Sequence, residues 1–95
     1  MAKTSVLRDL AAGFGLLSDP NRLGILKMLA GGPKNVTALC DGLRQKQPTI
    51  SHHLGLLRMG RLVIGTRKGR SVVYATDPAA LKDLGVAIGK LTPRR

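Results

Sequence analysis

The chain has one cysteine, Cys40, no tryptophan and no glutamate, and its only aromatic residues are Phe14 and Tyr74. A lone thiol rules out an internal disulfide and any cysteine-rich zinc site, and it suits the reducing cytoplasm. Two aromatic rings offer almost no stacking platform, which argues against single-stranded nucleic acid and most sequence-specific RNA binding. Every acid is an aspartate, and neither a carboxylate pair nor a Ser-His-Asp arrangement is legible, so no enzyme activity is expected. The opening Met1-Ala2-Lys3 with Val6-Leu7 hints at a signal peptide, but Arg8-Asp9 interrupts the apolar run. No stretch approaches the roughly 20 apolar residues a membrane span requires.

What is present is positive charge. Sixteen Lys and Arg against five acids give +11 over 95 residues. Between Asp41 and Asp77 there is no acid, yet Arg44, Lys46, Arg58, Arg61, Arg67, Lys68 and Arg70 all fall there. Solubility alone would not require such clustering, so the segment reads as a surface for a polyanion. The 43% hydrophobic content belongs to a folded domain, and its core must be aliphatic. A chain of this length buries only about 60–65% of its unfolded surface, so a partner subunit would help stabilise it.

The punctuation predicts a single mainly α domain over 1–95 with a small β-hairpin, about five helices plus a two-stranded wing. A first helix over Thr4–Leu17 places Leu7, Leu10, Ala11, Phe14 and Leu17 on one face. Ser18-Asp19-Pro20 opens a second, apolar helix that runs to Ala30 and ends at Gly31-Gly32-Pro33. Thr37 caps a short third helix to Leu43. Gln47-Pro48 starts a fourth that runs to Met59, with Gly60 as its stop and Ile50, Leu54 and Leu57 facing the core. The period then changes to alternation in Leu62–Thr66 and Ser71–Thr76, joined by the turn Arg67-Lys68-Gly69-Arg70. Asp77-Pro78 caps a last helix with the stripe Leu81, Leu84, Ile88 and Leu91, and Thr92–Arg95 reads as a frayed basic end. Gly85 and Gly89, four apart, either permit close helix approach or simply weaken that helix.

Two helices joined by a tight turn and followed by a basic hairpin make a winged helix-turn-helix, here residues 37–59 with a wing at 62–76. A helix fits the major groove and brings polar side chains to base edges. A basic hairpin tip reaches the backbone or an adjacent minor groove.

Three blocks also resemble a known family. Leu17-Ser18-Asp19-Pro20-Asn21-Arg22-Leu23-Gly24-Ile25-Leu26 is similar to the L-x-D-P-x-R-L-x-I-L opening of the ArsR/SmtB-type regulators. Gln47 to Arg58, reading Q-P-T-I-S-H-H-L-G-L-L-R, resembles that family's recognition helix, and the hairpin closing on Tyr74 resembles its wing. The resemblance covers roughly residues 16–76. It implies a homodimer built from the first and last helices (3–17 and 78–91) that binds an imperfect palindrome in double-stranded DNA and usually represses transcription. On the motif match, the DNA-binding residues are Gln47, Pro48, Thr49, Ser51, His52, His53 and Arg58, with Arg67, Lys68 and Arg70 from the wing. The apolar stripe Leu7, Leu10, Phe14 with Leu81, Leu84, Ile88 is the expected self-contact.

The departures from the family pattern bear on sensing. Its metal sensors often carry a cysteine pair in the third helix, where this chain keeps Cys40 alone, and Asp77 to Arg95 contains no histidine. His52 and His53 diverge by about 100° on a helix and cannot jointly clamp an ion. No metal or cofactor is expected, and Cys40 reads as a small buried hydrophobe. Two alternatives stay open: a ligand- or thiol-responsive regulator using Cys40, and a protein-interaction module that kept the fold without DNA binding. The chain also reads Gly60-Arg61-Leu62-Val63 where the family commonly has Gly-Leu-Val, one residue more. A cytoplasmic protein, on the nucleoid when bound to DNA, is expected.

Overall fold

The computed structural model describes residues 2–93, with Met1, Arg94 and Arg95 outside the description. Part of the expected basic end therefore lies outside the described residues. The elements are α1 (Ala2–Leu16), α2 (Pro20–Leu29), β1 (Lys34–Asn35), α3 (Val36–Leu43), α4 (Gln47–Met59), β2 (Val63–Lys68), β3 (Ser71–Thr76) and α5 (Pro78–Gly89).

Three aspartate or asparagine caps start helices where an extended residue turns into the helix. Asp19 accepts from the backbone N–H of Asn21 and Arg22, Asn35 from that of Ala38, and Asp77 from those of Ala79 and Ala80. The third-helix cap is thus Asn35 rather than Thr37, which lies one turn-position inside the helix.

The core joins α2, α3, α4 and the root of the sheet. Ile25, Leu39, Ile50 and Leu57 are wholly buried, and Leu29, Leu54, Leu62 and Val63 nearly so. Leu23 of the apolar α2 faces outward and is half exposed. Leu10, Phe14 and Leu17 of the α1 segment are half-buried against the core, and Leu84 of α5 is buried beside Gly13.

The sheet has three antiparallel strands in the order β1-β3-β2, not two. Lys34 pairs with Tyr74 and Asn35 with Val73, so the two residues after Pro33 cover the free edge of β3. The wing strand β2 runs on to Lys68, which pairs with Ser71, leaving Gly69-Arg70 as a two-residue loop. Gly69 has φ +64°, the positive value that a hairpin turn of this length demands at its first position.

The extra residue before the wing is absorbed at the end of α4. Arg61 takes φ +63°, its N–H bonds to the Arg58 carbonyl, and the Leu62 N–H reaches back to the Leu57 carbonyl. That is a Schellman ending with arginine at the left-handed position glycine usually fills. Gly60, expected as the stop, has φ −80° instead; its lack of a side chain lets Leu16 pack against it.

Candidate nucleic-acid interface

Helix α4 exposes one face and buries the other. At 100° per residue, Ile50, His53, Leu54 and Leu57 fall within one sector, and all four are buried. Pro48, Ser51 and His52 point away from that sector and Gln47 and Arg58 flank it, all five exposed, while Thr49 is half-buried at the other margin. The cap position, Lys46, makes no side-chain cap bond, so first-turn N–H groups stay open beside a cation.

Gln47 and Ser51 line a polar cleft of about 350 Å³ whose far wall is Arg70 and Ser71 of the wing. Asn35 and Thr37, from the start of α3, close it at one end. The hairpin loop puts Arg70 on the wall of that cleft, whereas Arg67 and Lys68, opposite Val72 and Ser71, are exposed on the wing outside it. Arg58 stands at the other end of α4, about 16 Å along the axis from Gln47, and shares a shallow groove with Arg61. The expected contact residues therefore form a central cleft, a wing tip and a far cation. Thr37, Asn35 and Arg61 belong to these places and were not among the expected contacts. Thr37 reads in sequence only as a helix cap, and Asn35 carries no signal of its own.

Among the described residues the one ion pair is His53–Asp19, so the cations of α4 and the wing are not neutralised within the chain. The acid-free interval from Asp41 to Asp77 accounts for this.

His53 stands apart from the other expected contacts: only 9% exposed, it faces Arg22 and Asp19 and not the side of α4 where His52 is exposed. The physical reason is the 100° step: a residue next to Leu54 on the core side cannot share the face of His52. Burial acts to raise the Asp19 carboxyl, but two cap bonds from Asn21 and Arg22 and the nearby His53 and Arg22 outweigh it, holding the group below its usual range.

Cys40 is half-buried and packs against the core. No group of three or more His, Cys, Asp or Glu that could hold a metal is present among the described residues, and no helix there is long and apolar enough to cross a membrane.

The profile of bacterial regulatory proteins of the arsR family matches residues 19–64, the segment from the α2 cap to the start of the wing. The chain is 33% identical over 70 residues to the transcriptional repressor SdpR of Bacillus subtilis, covering 74% of this chain and 78% of that protein. It is 42% identical over 67 residues to the transcriptional regulator NmtR of Mycobacterium tuberculosis, which is 70% of this chain but only 56% of NmtR. Among solved structures, the homodimeric winged helix-turn-helix DNA-binding domain of Mb0332 from Mycobacterium bovis superposes with a TM-score of 0.79 at 26% identity, covering 94% of this chain and 83% of that one. The capped α2, the helix pair α3–α4 and the basic hairpin thus stand in the order and register of one known architecture, and the chain belongs to the arsR family of bacterial regulatory proteins.

Proposed function

We propose that the chain is a sequence-specific transcriptional repressor that binds double-stranded DNA as a homodimer on an imperfect palindrome. The observation that carries this reading is the cleft between α4 and the wing. It sets Ser51 and Gln47 of the helix beside Arg70, and among the described residues no acid pairs with that arginine. In this reading α4 lies in the major groove, with Gln47, Ser51 and His52 toward base edges and Thr49 at the margin. Pro48 stiffens the entry of the helix. Arg67, Lys68, Arg70 and Arg58 meet phosphates or a minor groove.

The homodimer is assigned to the terminal helices. Val6, Leu7 and Leu10 of α1 face Val86, Ala87 and Leu91 across an apolar groove of about 490 Å³. Leu7 is 64% exposed and Leu91 77%, more apolar surface than a small monomer leaves open without a use. A two-fold axis makes this patch meet itself. The patch differs from the expected self-contact: Leu84 is spent inside the chain, and Val6 and Val86 join it together with Leu91 of the periodic stripe. Cytoplasmic residence on the nucleoid follows from this function. The test is sedimentation equilibrium with and without duplex DNA. A dimer that binds a duplex selected from a randomised pool supports the reading; a persistent 10.1 kDa monomer with no DNA binding overturns it.

A further inference from the structure

Arg22 makes three side-chain hydrogen bonds, more than any other described side chain, and all three go to groups within the chain. Its Nε donates to the Leu16 carbonyl at 2.7 Å and its Nη2 to the Gly15 carbonyl at 3.4 Å, both at the last turn of α1. Its Nη1 donates to His53 Nδ1 at 3.2 Å, in the middle of α4. Its own backbone N–H is held by the Asp19 cap at 3.3 Å, and the same carboxylate lies 3.8 Å from His53 Nε2. One guanidinium therefore joins the end of α1, the start of α2 and the buried face of α4.

The protonation of the histidine follows from the donor. A guanidinium only donates, so Nδ1 must present its lone pair, and the neutral ring then carries its hydrogen on Nε2, toward Asp19. At 3.8 Å that contact is electrostatic and not a hydrogen bond. The planar fork of Arg22 fixes direction as well as distance, which an ammonium could not do at three acceptors on two helices. His53 immediately follows His52 and lies two residues from Ser51, so any roll of α4 about its axis moves both exposed side chains.

We propose that Arg22 and His53 are positioning residues: Arg22, anchored on the end of α1, sets the roll of the recognition helix through the His53 ring. The proposal rests on the DNA-binding reading. It also means that the helix assigned to the dimer contact and the helix assigned to the groove share one polar clip.

The test uses the full chain and two duplexes, one selected for tight binding from a randomised pool and its scrambled counterpart. Arg22→Lys and His53→Leu are each expected to lose about tenfold in affinity for the selected duplex and to stay within about twofold on the scrambled one. The double variant is expected to lose no more than either single one. His53→Asn, whose carbonyl oxygen can stand where Nδ1 stands, is expected to recover most of the loss. Imidazole ¹⁵N spectra of the wild-type chain should show His53 with Nδ1 unprotonated. If Arg22→Lys does not fold, the His53→Leu and His53→Asn pair carries the same comparison. A folded Arg22→Lys or His53→Leu protein that separates the duplexes as the wild type does, or a ring protonated on Nδ1 alone, overturns the clip. Wild-type protein that binds both duplexes equally overturns the DNA-reading function and the clip's role with it, even where the tautomer is as expected.

Discussion

The helix-turn-helix head and the pair of terminal helices are built on opposite terms. In the head, α2, α3 and α4 meet around Ile25, Leu39, Ile50 and Leu57, all with no exposed surface, and what remains outside is mostly polar or basic, with Leu23 and Met59 as the large apolar exceptions. In the terminal pair, α1 and α5 meet mainly where Gly13 admits Leu84, and Val6, Leu7, Val86, Ile88 and Leu91 are left about half exposed or more. On the proposed function, the head lacks only a polyanion and the terminal pair is completed by apolar contact with a second copy. Charge governs one surface and the hydrophobic effect the other, so the two respond to different perturbations.

Salt should separate them most. With cations from both protomers neutralising about 6–10 phosphates, DNA affinity is expected to fall about 10³–10⁵-fold between 50 and 200 mM salt. The dimer should persist over the same range, because apolar burial is not screened. A DNA affinity that ignores salt, measured by fluorescence anisotropy, would erase the contrast. Core truncation comes next. Leu54→Ala should cost about 2–5 kcal/mol in urea unfolding, whereas Ile88→Ala should cost the monomer little and weaken self-association instead. Equal losses of stability would mean that the terminal pair is already packed within the chain.

A smaller effect is expected where the two regions join. Arg61 holds a left-handed backbone at the end of α4, so Arg61→Gly should stabilise the fold by about 0.5–1 kcal/mol in the same assay. Destabilisation would show that its side chain contributes more than its backbone costs. The smallest expected effect concerns Asp19. Its carboxyl is held below the usual range, so its contribution is present above the unfolded value near pH 4 and is lost as pH falls through the lower folded value. Asp19→Asn should remove that contribution at pH 7, with a difference from the wild type that shrinks as pH falls, so the acid limb flattens, as acid titration by circular dichroism would record.

The parts of this structure legible in the sequence are those where one local rule acts alone. The bounds of α4, Gln47–Met59, agree with the proline start and apolar spacing, and β3 spans Ser71–Thr76 as its alternation indicates. The starts of α2 and α5 follow from Asp-Pro pairs. Elsewhere two rules competed. Asn35 and Thr37 are both good caps, and the pairing of Asn35 with Val73 across β1 decided between them. A two-residue strand leaves no period to read. At Gly60-Arg61 the glycine is used for the close approach of Leu16, and the positive φ passes to the arginine. His53 matched a motif read along the chain, but its place in the sector of Ile50, Leu54 and Leu57 turns it inward. The acid-free interval correctly flagged a cationic surface; only the fold divides it into a cleft under Arg70, a wing tip and the distant Arg58.

The most direct measurement of the central claim is a titration of selected and scrambled duplexes with Ser51→Ala, His52→Ala and Arg70→Gln at two salt concentrations. The two α4 variants should lose about 1–3 kcal/mol on the selected duplex and far less on the scrambled one. Arg70→Gln should weaken binding to both alike and lower the salt slope by about one. Helix variants that lose equally on both duplexes, with discrimination lost only in Arg70→Gln, would contradict the assignment of reading to α4 and of phosphate contact to the wing.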